Sequence, residues 1–232
     1  MTTYILGLVI SFAAGAWFIY KAPEKKQWIY LFLSAGGAYL ITVLFTHILP
    51  ELFENLGHTA GYVLLIGFIV QILLENYSRG IEHGHAHASS TRTALLISYA
   101  ALCLHALIEG MPLASVLFDS VIHFDRELTL GIMLHKIPVA ITLSTLLIRS
   151  GLSKNSALLW LLGFIACTVV GSFVQRWLGN ESEQLMFMSL GLTVGILLHV
   201  STTILFESSD HHKLSPKRVA VIALGILLGI AI

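Results

Sequence analysis

TALLISYAALCLHALIEGMPLASVLF (Thr93–Phe118) has a single formally charged residue, Glu109, with His105 one helical turn before it. A bilayer's hydrocarbon core is crossed by about 20 apolar residues at 1.5 Å rise each. This stretch exceeds that length, and it is too apolar for the amphipathic helix of a soluble domain. It reads as a helix in lipid. The polar side chains within it are therefore placed where water is scarce, and they need a reason to be there.

The rest of the chain agrees. Of 232 residues, 56% are hydrophobic and 11% charged, whereas a soluble domain carries about 25% charged residues. Mean hydropathy is +0.84. Eight apolar segments follow one another: Thr3–Tyr20, Trp28–Pro50, Ala60–Asn76, Thr93–Phe118, Leu128–Ile148, Ala157–Leu178, Leu185–Phe206 and Pro216–Ile232. The expected fold class is all-α, a polytopic membrane protein of eight transmembrane helices forming a single domain over 1–232, with a His-containing cytoplasmic loop at 77–92. The formal net charge of zero gives no footing for nucleic acid. Cys103 and Cys167 both lie in apolar runs, which is no disulfide framework, and they read as small apolar filler. The first segment has its basic residues after the apolar run rather than before it, so it reads as a retained span and not a cleaved leader.

Lysine and arginine set the orientation. Ten of the thirteen (Lys21, Lys25, Lys26, Arg79, Arg92, Arg149, Lys154, Lys213, Lys217 and Arg218) fall after odd-numbered segments. Two, Arg126 and Arg176, fall on the opposite side, and Lys136 lies within a segment. The odd loops are thus expected in the cytoplasm and both termini outside. The outer side carries seven acids, Glu51, Glu54, Asp119, Asp125, Glu127, Glu181 and Glu183. Such a mouth concentrates cations, or it simply reflects external loops that escape the positive bias.

Segments 4 and 5 hold the densest polar group. His105 and Glu109, at i and i+4, share one helix face. His135 and Lys136 sit in segment 5, and Pro112 and Pro138 follow as kink sites that free backbone carbonyls. An unpaired charge at the centre of a membrane helix costs about 2.5–3.5 kcal/mol on insertion scales. Two imidazoles and a carboxylate suit Zn²⁺, and also Fe²⁺, Mn²⁺, Co²⁺ or Cd²⁺. A Glu109–Lys136 ion pair with two hydrogen-bonded histidines accounts for the same residues structurally.

Other candidate ligands are scattered. RGIEHGHAHASS (79–90) places His83, His85 and His87 at alternate positions, a weak metal-binding tract or a polar linker. FTHILPE (45–51) puts His47 and Glu51 on one helix face. His199 adjoins Ser201, Thr202 and Thr203, hydroxyls expected to bond to their own helix backbone. Gly191-x-x-x-Gly195 and Gly225-x-x-x-Gly229 permit close helix approach, within one bundle or between subunits.

Taken in order, these motifs resemble the ZIP (Zrt-, Irt-like) family of divalent-metal transporters. Segment 4 carries the family's His-x-x-x-Glu-Gly as HALIEG (105–110), and segment 5 carries His-x-x-Pro as HKIP (135–138). Segment 2 ends in the family-like HILPE (47–51), and GILLHVSTTILFE (195–207) is similar to the family's seventh span. The resemblance implies an inverted 3+2+3 repeat, a metal path between spans 4 and 5, zinc as substrate with no organic cofactor, and a homodimer in the plasma membrane. It implies His105, Glu109 and His135 as the transport ligands. His47, Glu51, His199, His83, His85 and His87 remain auxiliary candidates.

The chain departs from the family in two places. Ala106 and Lys136 occupy positions where two-metal members have second-site ligands, which implies a single metal with Lys136 in place of the second. Val139 stands where the family's pattern continues with Glu or His, leaving three protein ligands and a fourth position for water, His199 or His47. Three functions follow: a transporter moving metal toward the cytoplasm, a metal-binding sensor or accessory protein, and a membrane metalloenzyme. The last lacks an additional His-x-x-x-His box in any segment, so the chain is expected not to be an enzyme.

Overall fold

The computed structural model describes residues 1–21, 27–78, 80–83, 91–118, 126–179, 182–207 and 215–231. All regular structure among them is helical. In chain order the helices are α1 (Thr2–Lys21), α2 (Gln27–Val43), α3 (Leu49–Leu56), α4 (His58–Ser78), α5 (Arg92–Gly110), α6 (Ala114–Leu117), α7 (Arg126–Arg149), α8 (Lys154–Gly179), α9 (Glu183–Glu207) and α10 (Pro216–Ile230). A π turn at Leu44–Ile48 joins α2 to α3, and a single 3₁₀ turn, Ile81–His83, follows α4.

Seven helical segments of the described residues are long and apolar enough to cross a membrane. Their outward faces carry exposed apolar side chains such as Ile5, Val9, Trp17, Tyr62, Leu65, Leu159 and Phe173, as expected of a surface solvated by lipid. The chain is thus an integral multi-pass membrane protein. The eighth apolar segment forms α10, whose 15 residues reach about 22 Å, short of a ~30 Å core.

The helices form two groups. In one, α1 packs on α7 and α8, and α5 packs on α8; in the other, α2 packs on α10 and α9, and α4 on α9. The groups meet mainly along α2–α7 and α4–α5. Both small-residue patterns are used inside the chain. A Cβ on Gly195 would strike the Leu64 carbonyl of α4, and one on Gly225 would strike the Ala35 carbonyl of α2. Arg218 fastens the start of α10 by donating Nε to Ser34 Oγ (3.0 Å) and Nη2 to the carbonyls of Ile204 and Leu205 (3.0 and 2.9 Å). Those carbonyls lie in the last turn of α9, where helix geometry leaves them without amide partners.

Prolines act differently in each segment. Pro50 cannot donate to the carbonyl a turn behind it, and the chain widens into the π turn just before it, with the Leu49 N–H bonded to Leu44 O. Segment 4, expected to run to Phe118, stops at Gly110 instead. The Met111 N–H tightens back onto Ile108 O (3.1 Å) and Pro112 follows outside the helix. Hydroxyls on neighbouring helices also reach the carbonyls at this end: Thr193 Oγ1 donates to Ile108 O (3.0 Å) and Ser172 Oγ to Gly110 O (2.8 Å). Pro138 lies within an unbroken α7. Two glycines with positive φ make the sharp connections, Gly57 (53°) between α3 and α4 and Gly151 (84°) between α7 and α8. The result places α7 at the centre, with 78% of its spanning window buried against 28% for α1 and α4.

Candidate metal centre

Helix α5 is capped by Thr91, whose side chain accepts from the Ala94 N–H (3.1 Å). Its position in depth is fixed by glycine contacts with α8. A Cβ on Gly171 would meet the Leu107 carbonyl, and one on Gly110 the Thr168 carbonyl. With the two helices in backbone contact, the opposite face of α5, bearing His105 and Glu109, turns toward α7. Both side chains are 1% exposed, and His135 on α7 is 3% exposed.

These three side chains converge. His105 Nε2 lies 3.1 Å from Glu109 Oε1, and His135 Nε2 lies 3.8 Å from the same oxygen. One ligand atom from each falls within 4.8 Å of the others, the single such triad of His, Cys, Asp and Glu among the described residues. Tetrahedral zinc with ligands at about 2.0–2.1 Å sets its donors roughly 3.3 Å apart, so the spacings need little adjustment around a cation. Among the described residues, neither His105 Nε2 nor Glu109 Oε1 has a hydrogen-bond partner. Buried polar atoms are seldom left this way without cause.

The ion pair that offered a structural account is present too, and it uses the other carboxylate oxygen. Lys136 Nζ donates to Glu109 Oε2 at 2.9 Å and lies 5.1 Å from the centroid of the Phe164 ring on α8. Oε2 thus holds the lysine while Oε1 faces the imidazoles. With neutral histidines the group carries no net charge, so the carboxylate is compensated at a depth where a lone one is costly. Ala106 and Val139 are buried, at 0% and 1% exposed.

The remaining candidates fall elsewhere. His47 sits in the π turn with Nδ1 2.7 Å from Thr46 Oγ1, and neither it nor Glu51 belongs to the triad. His199 pairs with Glu75 of α4 (Nδ1–Oε2 3.2 Å) and packs edge-on against Phe68. Ser201, Thr202 and Thr203 bond to carbonyls of their own helix. His85 and His87 lie outside the described residues, as does the side chain of His83. Glu82 beside them is fully buried and accepts from Ser78 Oγ (2.6 Å).

Sequence reasoning passed over Gln71. It is fully buried on α4, and its Oε1 lies 2.8 Å from His105 Nδ1. A signal was available: Gln71, Glu75 and Ser78 stand at i, i+4 and i+7, a polar stripe on an otherwise apolar segment.

The membrane-embedded helical bundle thus encloses a buried triad of two imidazoles and a carboxylate, a donor set that could hold a metal ion. A family model described as "ZIP Zinc transporter" matches residues 79–232, and the chain belongs to that family. Similar relatives are Zinc transporter ZIP9-A of Xenopus laevis, 25% identical over 163 residues, covering 68% of this chain and 53% of the relative. Zinc transporter ZIP9 of Xenopus tropicalis matches to the same extent. Zinc transporter ZIP9 of Micropogonias undulatus is 25% identical over 161 residues, 68% of this chain and 52% of the relative. The chain therefore spans about half the length of the curated relatives it matches.

Proposed function

We propose that this protein is a transporter, not an enzyme, that moves a divalent metal cation, zinc foremost, across the plasma membrane toward the cytoplasm. The cation passes between α5 and α7 and is held by His105 Nε2, Glu109 Oε1 and His135 Nε2. The observation that carries this reading is their convergence at 1–3% exposure. Family membership supports the same class of cargo, and Fe²⁺, Mn²⁺, Co²⁺ and Cd²⁺ suit the same donors.

In this reading the site takes a single metal. Lys136 fills the place of a second one and leaves Oε1 free for the cargo. The charge brought by Zn²⁺ is then only part-balanced by Glu109, which favours release. With α10 as a short eighth crossing, both termini lie outside, the loop at 77–92 is cytoplasmic, and the spans form an inverted 3+2+3 repeat in a homodimer. The two helix groups are natural bodies for alternating access, one sliding past the other around a site at their seam. Uptake of ⁶⁵Zn²⁺ into proteoliposomes is expected for the wild type and lost in Glu109→Ala and His105→Ala. Unchanged uptake in both would refute the site.

Val139 favours a second reading, a metal-binding sensor or accessory protein without transport, because an apolar side chain stands where the family's pattern continues with a ligand. Uptake by Val139→Glu but not by the wild type would select it.

A further inference from the structure

We infer that Gln71 is a positioning residue that decides which nitrogen of His105 faces the metal. The inference rests on the reading of His105, Glu109 and His135 as the cargo site. Gln71 Oε1 lies 2.8 Å from His105 Nδ1, with both side chains out of contact with the surroundings at 0% and 1% exposure. A carbonyl oxygen only accepts, so Nδ1 carries a proton toward Gln71, which leaves Nε2 as the ring nitrogen available to a cation. Nε2 is the nitrogen turned toward Glu109 Oε1. The pattern is that of a metal-ligating histidine whose second nitrogen is tied down by an outer partner, which sets ring orientation and raises ligand basicity.

An amide is the side chain suited to a ligand that must also let go. Rotated by half a turn, Gln71 offers its Nε2–H to His105 Nδ1, and the ring proton then moves to the nitrogen facing Glu109, where it blocks a cation. Among the described residues Gln71 Nε2 has no hydrogen-bond partner, so no second bond from them holds the amide in its present orientation. The Gln71–His105 bond also crosses between the helix groups, from α4 to α5. A slide of one group past the other breaks it and removes the support from His105, so affinity falls with the movement that exposes the site to the other side.

The test uses the full chain in lipid nanodiscs, with Zn²⁺ titrated against a competing chelator. Gln71→Leu is expected to weaken binding ten- to a hundredfold, the usual cost of losing such an outer partner. Gln71→Glu, an acceptor of the same length, is expected to bind at least as tightly as the wild type. A role in packing alone predicts the reverse order, with the apolar variant tolerated and the charged one damaged. The second measurement is the ¹⁵N spectrum of selectively labelled His105 without metal. The wild type is expected as the Nδ1–H tautomer and Gln71→Leu with a substantial Nε2–H population. Wild-type affinity in Gln71→Leu, or an Nε2–H ring in the wild type, overturns the inference. Glu109→Ala separates the two levels. If it binds zinc normally, the cargo site itself is wrong; if it fails while Gln71→Leu binds normally, only the positioning role is.

Discussion

Among the described residues, the imidazole–carboxylate pairs His105–Glu109 and His199–Glu75 both lie within the helical bundle, in different surroundings. His105 and Glu109 share one helix, at 3.1 Å and 1% exposure each. His199 and Glu75 join two helices at 3.2 Å, with 14% and 21% exposure. The distances are nearly equal, so distance alone does not make a site. The first pair gains His135 as a third donor, Lys136 to neutralise the carboxylate, and Gln71 to orient a ring. The second has Phe68 against its imidazole and no third ligand within reach among the described residues. Convergence and enclosure separate the candidate cation site from a charge pairing between two helices.

The sharpest way to break this comparison is to remove each carboxylate in turn. Glu109→Ala is expected to abolish zinc binding, more than a hundredfold, measured by chelator competition. It also strands Lys136 in the core, at a cost of about 3–5 kcal/mol of stability. Lys136→Met has the opposite sign for binding. It removes a positive charge beside the cargo, so affinity should rise by roughly tenfold or more, while uptake slows because release becomes harder. The smallest effect belongs to the second pair. Glu75→Gln and His199→Ala should change zinc affinity less than about twofold. Each should shift thermal unfolding less than Glu109→Ala does, because neither strands a buried lysine. A large loss of affinity in either would erase the distinction between the pairs.

The bundle and the two segments that carry the candidate ligands were legible in the sequence because both rest on local rules. Lipid requires long apolar helices, and i, i+4 spacing puts His105 and Glu109 on one face whatever surrounds them. What escaped depends on which helices become neighbours. Nothing in segment 3 alone says that Gln71 meets His105, or that His199 turns to Glu75 and away from the triad. The partners of Gly195 and Gly225 were equally open until α4 and α2 were seen against them. The division of Glu109, with Lys136 on one oxygen and the imidazoles facing the other, is a matter of side-chain direction that residue spacing does not specify. The end of α5 was overextended for a related reason. Apolar character continues to Phe118, but the helix can stop at Gly110 because Thr193 and Ser172 supply hydroxyls to carbonyls of its last turn.

The central claim is that the cation sits among His105 Nε2, Glu109 Oε1 and His135 Nε2. The most direct measurement is an anomalous difference map, collected across the zinc absorption edge, from a zinc-soaked crystal of the wild-type chain. The account predicts one strong peak within about 2.0–2.2 Å of those three atoms, with Lys136 still on Glu109 Oε2. A map empty at the triad, or a dominant peak between Glu75 and His199, would contradict it.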